Sequence, residues 1–385
     1  MLTQKTLTSK STPFPSARIP RRLRRYLTFM APLNGNTTAF GRGASVAATL
    51  TRATIATYIH PVTGLVTEVA SGVPRFEANG YLSEGARTNI CLYSNDFTNA
   101  AWVAVNMTAA ATSTGPDGVA SSASRLTATA ADATIKQSIT SGSAARVTSC
   151  WVKRITGTGA VSMTQDDGAT WAAVTLTTAW TRASIASATL ANPIVGFKIA
   201  TDTDAIDVSF FQHEVGAFIS SAIPTTSAAV VRNGDSNTYV ASGNISNPGT
   251  VFVVADFTVN SNQVLAFDTR NTSNVTGVAI LQDSNAKPRS LVSNTTTQAD
   301  MSISTDNFAA GVPKSLALAW DSSDFQFISS GGLGNGTDTS GTVPATHTRI
   351  GVGISGANAA QSFGHVRSVA ILASRLSAFD MARLR

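Results

Sequence analysis

Three groups of aspartates stand at spacings that could place two carboxylates on one substrate: Asp166 with Asp167, Asp202 with Asp204 and Asp207, and Asp321 with Asp324. Glycoside hydrolysis is the chemistry they would serve, and it needs its carboxyl groups about 5 Å or about 6.5 to 9.5 Å apart across the scissile bond. All seven, however, fall in turn-rich sequences, DDGA, TDTDAID and DSSD, where Asp is favoured because its side chain caps the local backbone. The turn reading is preferred, and no catalytic residue is expected. TDTDAID lacks the sixth-position Gly and terminal Glu of an EF-hand loop, so calcium remains an unsupported alternative there. His60, His213, His347 and His365 are dispersed without paired spacing, so neither a metal nor another cofactor is implied. A nucleophile turn of the form G-x-S-x-G is missing, and GGLGNG at 331–336 has no following Lys-Ser/Thr or helix. That glycine run reads as a β-turn.

Binding chemistry has better material. An exposed tryptophan can stack on the apolar face of a pyranose while nearby carboxylates take hydrogen bonds from its hydroxyls. Of Trp102, Trp151, Trp171, Trp180 and Trp320, two are candidates for such a platform. In SCWVKR, period-two alternation puts Cys150 and Val152 on one side and Trp151 with Lys153 on the other, so Trp151 shares a face with a charge. Trp171 closes the DDGATW turn beside Asp166 and Asp167. Trp151, Trp171, Asp166 and Asp167 form the candidate carbohydrate-binding set; core packing or a subunit contact is the competing reading of every tryptophan.

The elements that must position them are strands. From Asn89 to about Ser227 apolar–polar alternation breaks every 8 to 12 residues at TGPDG, TSGS, TGTG, DDGA and TDTD, the signature of a sandwich or barrel. Strands are predicted over 101–107, 124–129, 135–139, 145–154, 160–165, 172–176, 181–185, 194–200 and 205–211. The pattern restarts after 243 with VFVVADFTV, VLAFDTR, GVAILQD, KSLALAWDSSDFQFISSG, RIGVGI and GHVRSVAIL. One helix is convincing: Ser377 can cap it with Asp380 three residues on, and Leu376 and Met381 stand at staple spacing. The expected class is all-β, two jelly-roll sandwiches in tandem behind an extended basic N-terminal arm and a small β adaptor. The expected limits are an arm at 1–30, an adaptor at 31–88, a first jelly roll at 89–228, a linker at 229–243 and a second jelly roll at 244–385.

Charge supports that division. Charged residues are 13% of the 385 and hydrophobic ones 43%, so Thr, Ser, Asn and Gly must supply the polar surface. The net +6 is uneven: of 28 basic residues nine precede the first acidic one, Glu68, leaving 19 basic against 22 acidic beyond. A nucleic-acid partner for the whole chain is therefore disfavoured. RIPRRLRRYLTFM gathers Arg18, Arg21, Arg22, Arg24 and Arg25, and Leu23, Leu27 and Met30 could line a short helix after Pro20. These arginines suit docking on an anionic partner, with a solvated or locally packed segment as the alternative. The two cysteines, Cys91 and Cys150, sit in apolar surroundings and read as buried thiols. No apolar run is long enough to span a membrane.

Two resemblances extend this reading. Arg349-Ile350-Gly351, then Ser362-Phe363-Gly364-His365-Val366 and VRSVAILASRLSAFDMARL resemble the closing strands and helix of laminin-G and concanavalin-A-like lectin domains over about 244–385, departing at Ser368 and Ala373. GYLSEGARTNICLYSNDFTNAAW, TGPDGVASSASRLTAT, SCWVKRITGTGAVSMTQDDGATW and VSFFQHEVGAFISSAIPTT, with RATIATYIHPVTGLVTEVASGVPRFEANGYL before them, resemble a carbohydrate-binding-module-like block of tailed-bacteriophage virion surface proteins, over about 50–230. The resemblance implies a non-enzymatic virion protein of tail-fibre or tail-tip type, docked on tail or baseplate proteins and contributing to recognition of host surface polysaccharide. It also implies a homo-oligomer, with a trimer favoured. A capsid decoration or head-fibre protein, and a glycan depolymerase, are the rival expectations.

Overall fold

The computed structural model describes residues 19–41, 45–257, 264–329, 335–355 and 362–384, and they are nearly all β. Arg18 and the first four residues of GGLGNG, 331–334, lie outside the described residues, and Asn335–Asp338 is a strand. The chain divides into two compact units, one formed by 50–78 and 82–236, the other by residues before 50, 79–81 and those from 237 on. The residues expected as arm and adaptor are thus shared between the units.

The 50–236 unit is a sandwich. One sheet runs in the order Val103–Val105, Ala133–Ser138, Ile194–Ile199, Val161–Thr164, Ala172–Ala173, every pair antiparallel. The other runs Met107–Ser113, Ala123–Ala128, Ala205–Val215, Ala144–Thr156, Thr181–Leu190. Between them alternate residues from both sheets form one core, Ile135, Met163, Phe197 and Ile199 against Leu126, Cys150, Val152, Ile206 and Phe211. Phe97 stacks on Trp102 at 4.1 Å within it. Both cysteines are free and buried, and burial pushes both thiols up.

A β-bulge lets Ala205–Val215 serve two faces. Ile206 and Val208 point into the core, so strict alternation would send Phe210 there too. The register against Ala144–Thr156 slips between Ser149 and Trp151, Phe210 takes φ 50°, and Phe211 enters the core instead. Phe210 turns outward to meet Val66, Ala222, Ile59 and Trp151. The hairpin Ala56–Ile59 with Val66–Val69 is thereby seated on the outer face of the sheet.

A layer of buried charge fixes the same segment. Arg52 donates to Asp235 at 2.8 Å, Arg75 pairs with both Glu84 (2.7 Å) and Asp235, and Arg232 Nη2 lies 3.5 Å from Glu84. None of these side chains is more than 7% exposed. Burial alone would raise the Glu84 carboxyl, but Arg232 and Arg75 hold it well below the usual carboxylate range. Burial likewise works against the charge on Arg75, and Asp235 with Glu84 outweighs it.

In the other unit one sheet runs Asn335–Asp338, Asp324–Ser329, Lys314–Asp321, Gly249–Phe257, Gly364–Leu372, Leu27–Ala31, Ala39–Gly41, Ser45–Val46. A second runs Thr296–Ser302, Pro288–Asn294, Thr276–Gln282, Val264–Asp268, Arg349–Val352 and on to Asn237–Val240. The helix expected after Pro20 does not form. Arg24–Tyr26 is one 3₁₀ turn and Leu27–Ala31 is a strand, with Phe29 opposite Ile371 and Ala31 opposite Val369. The open edge of Gly364–Leu372 offers those residues hydrogen bonds that a lone turn of helix cannot match, and Thr28 and Phe29 suit a strand. Leu23 still turns inward, joining Ile19, Leu376, Met381 and Leu384 on Phe252 and Leu372. The C-terminal helix is Ala378–Met381, with the Ser377 hydroxyl accepting from the Asp380 N–H as expected.

Candidate binding face around Trp171

The face begins with two strands that alternate cleanly. Ala133, Ile135 and Gln137 are buried while Thr134 and Lys136 point away from the core, and on the neighbouring strand Val195, Phe197 and Ile199 are buried while Lys198 is not. Register places Thr134 opposite Lys198 and Lys136 opposite Gly196. On the next strand Ser162 is opposite Lys198. A Cβ at Gly196 would stand 2.1 Å from the Ile135 carbonyl oxygen, so only glycine lets these strands approach so closely.

Against this sheet lies the turn 164–171. Thr164 Oγ1 accepts from the Gly168 N–H at 2.8 Å, and Asp166 Oδ1 accepts from the Thr170 N–H at 2.9 Å and from the Thr164 hydroxyl at 2.8 Å. Asp167 (φ 62°) and Gly168 (φ 89°) carry the chain through the left-handed region. A Cβ on Gly168 would come within 2.9 Å of the Trp171 indole, so the missing side chain is what lets the ring fold over the turn. Lys198 Nζ lies 5.3 Å from the Trp171 ring centroid, and Lys136 Nζ is 2.6 Å from Asp167 Oδ1. The indole is half-buried and the Asp167 side chain 57% exposed.

Three of the four expected residues, Asp166, Asp167 and Trp171, therefore share one turn. The fourth does not join them. Trp151 belongs to the other sheet and packs with Ile59, Val66, Phe210 and Ala222. The sequence put it correctly on the face away from Cys150 and Val152, but could not show that a segment eighty residues earlier covers that face. Lys136, Lys198 and Gly168 were not singled out. Their signal was the alternation of ATIKQS and IVGFKI, which marks outward lysines without saying which strands are neighbours. A second ring-and-ammonium pair, Trp180 with Lys153 Nζ at 4.8 Å, was missed for the same reason.

The chemistry available here is stacking and hydrogen bonding. Burial would raise the Asp166 carboxyl, yet the Thr170 N–H and the Thr164 hydroxyl hold it below its ordinary value, the opposite of what a general acid needs. Four further candidate carboxylates are engaged too. Asp204 takes the Gly159 N–H at 2.7 Å and pairs with Arg154; Asp207 binds Arg125, Lys153 and Ser113. Asp321 takes the Ser322 N–H, and Asp324 pairs with Arg375. His213 is buried beside Thr148, and His365 pairs with Asp256 at 2.7 Å. Among the described residues no group of three or more His, Cys, Asp or Glu is placed to hold a metal ion.

No family model matches the chain, and no curated protein matches it in sequence. Among solved structures it is similar to the CBM40 of the Ruminococcus gnavus IT-sialidase bound to α2,3-sialyllactose, at a TM-score of 0.32 and 14% identity, over 38% of this chain and 89% of that one. The same module bound to α2,6-sialyllactose aligns at a TM-score of 0.31 and 11% identity, over 36% and 82%. Without a ligand named it aligns at 0.30 and 12%, over 35% and 80%.

Proposed function

We propose that this protein is a non-enzymatic surface component of a tailed-bacteriophage virion, of tail-fibre or tail-tip type, that contributes to recognition of a host glycan through the Trp171 face. The observation that carries the glycan part is the turn 164–171. It presents a half-buried indole, an exposed carboxylate and two lysines together on the outer side of a rigid sheet. Such a surface offers a pyranose one stacking plane and both donors and acceptors, without a proton donor for cleavage. The virion part rests on the sequence block at 50–230, and the homotrimer and the docking on other virion proteins follow from the same reading.

Titration of host surface polysaccharide into the full chain by calorimetry tests the site. Trp171→Ala is expected to weaken binding about tenfold or more, corresponding to about 1.4 kcal/mol, while Trp151→Ala leaves affinity unchanged at temperatures where the fold persists. Equal affinity of Trp171→Ala and the parent would remove the face from consideration, and release of reducing ends would replace recognition with cleavage. Reconstruction of the particle decides tail against capsid.

A further inference from the structure

Both ends of the described chain meet at one surface patch whose chemistry the glycan face does not use. Ile19 and Leu23 pack under the C-terminal helix beside Leu376, Met381 and Leu384, which holds residues 19–26 and 377–384 side by side. These two segments carry Arg21, Arg22, Arg24, Arg25 and Arg383 against a single carboxylate, Asp380. Among the described residues their charge is local: the rest of this unit there holds seven Lys and Arg against eight Asp. Pro20, Arg21, Arg22 and Arg383 line an open recess of about 550 Å³. Beside it stands Phe379, 65% exposed on the helix, with the Arg383 guanidinium 4.5 Å and the Arg22 guanidinium 5.9 Å from its ring centroid. Arg22 is also paired with Asp380.

We propose that this patch is the docking surface for an acidic polypeptide segment of another protein, with Phe379 as its apolar anchor and Arg21, Arg22 and Arg383 as its charge partners. The proposal deepens the docking part of the function above and rests on it. It moves the contact from a free arm to a composite of both termini. Charge complementarity selects the partner: five guanidinium groups, in a unit whose other described residues are near neutrality, attract a short anionic segment and among the described residues form no extended basic stripe of the kind a polyphosphate backbone requires. An exposed aromatic ring framed by arginines is the residue combination that concentrates binding energy between proteins, and a nucleic-acid backbone has little use for it.

The test uses the full chain and two synthetic probes, poly-L-glutamate and a Glu–Tyr copolymer of similar length, with a 20-base-pair DNA duplex as competitor. The copolymer is expected to bind more tightly than poly-L-glutamate, with Phe379→Ala abolishing that difference at unchanged charge. Arg21→Glu with Arg383→Glu is expected to weaken both probes about tenfold or more. Equal binding of the two probes to the parent, insensitivity to Phe379→Ala, or displacement of the copolymer by equimolar duplex would each overturn the proposal. Since the probes are synthetic, failure here leaves the virion assignment standing, and failure of the glycan titration leaves the patch standing.

Discussion

The unit spanning 50–236 contains two arrangements of charge, and they do opposite things. In the layer of Arg52, Arg75, Glu84, Arg232 and Asp235 no side chain is more than 7% exposed, and every carboxylate serves at least two arginines. Around Trp171 the ion pairs are single and wet, Lys136 with Asp167 at side-chain exposures of 31% and 57%, Lys198 with Asp132 at 29% and 71%. Buried charge must be paired by whatever surrounds it, so it dictates where the 50–84 segment lies. Exposed charge loses little when it changes partner, so it remains available to a ligand. Within one sandwich, depth separates the charges that organise the chain from those that can recognise something.

The sharpest way to break that distinction is Asp235→Ala. It strands Arg52 and Arg75 without their shared carboxylate, and is expected to cost about 3–5 kcal/mol in urea unfolding followed by tryptophan fluorescence. A loss under about 1 kcal/mol would mean that the layer does not hold the segment. Acid titration comes next. Burial, helped by Arg146, lowers His213 from 6.5 to about 4, so the fold favours the neutral ring and the unfolded chain takes up the proton first. Stability is whole above about pH 6.5 and falls as pH drops toward 4, by on the order of 3 kcal/mol. His213→Gln is expected to remove its own share of that loss and leave the share of His347, which burial also lowers to about 4, and an unchanged pH profile would show that other groups control it. Smallest is Asp167→Ala, expected to change unfolding by no more than about 1 kcal/mol because its lysine partner reaches solvent. A cost approaching that of Asp235→Ala would erase the contrast.

Elements were more legible than the contacts between them. GHVRSVAIL was read as a strand and is one, Gly364–Leu372, and the strand read at 145–154 is Ala144–Thr156. Both advertise themselves through local alternation and flanking turns. Pro288–Asn294 and Thr296–Ser302 carry no strand signal in sequence because their few apolar residues, Leu291, Val292, Ala299 and Met301, are separated by the polar SNTTTQ, although the fold buries Val292, Ala299 and Met301. KSLALAWDSSDFQFIS is two strands, Lys314–Asp321 and Asp324–Ser329, parted at the DSSD turn that its sequence marks, with Ser323 at φ 54°. The DDGATW turn was recognisable as such, so Asp166, Asp167 and Trp171 came together correctly. Lys136 and Lys198 reach it only through strand register. The buried layer left no trace, because Arg52 and Asp235 are 183 residues apart and no period connects them.

The strand Leu27–Ala31 has a consequence for timing. It pairs with Gly364–Leu372, so the unit it belongs to closes with residues from both ends of the chain, Leu27 opposite Leu372. That pairing cannot form until residue 372 has left the ribosome. The 50–236 unit is built wholly from its own stretch, with residues 79–81 assigned to the other unit, and can be complete while its neighbour is still being synthesised. The last sheet to close is then the one whose joined ends carry Phe379 and the arginines. Newly made chains acquire that basic patch only after residues 377–384 have left the ribosome, and chains truncated before them never acquire it.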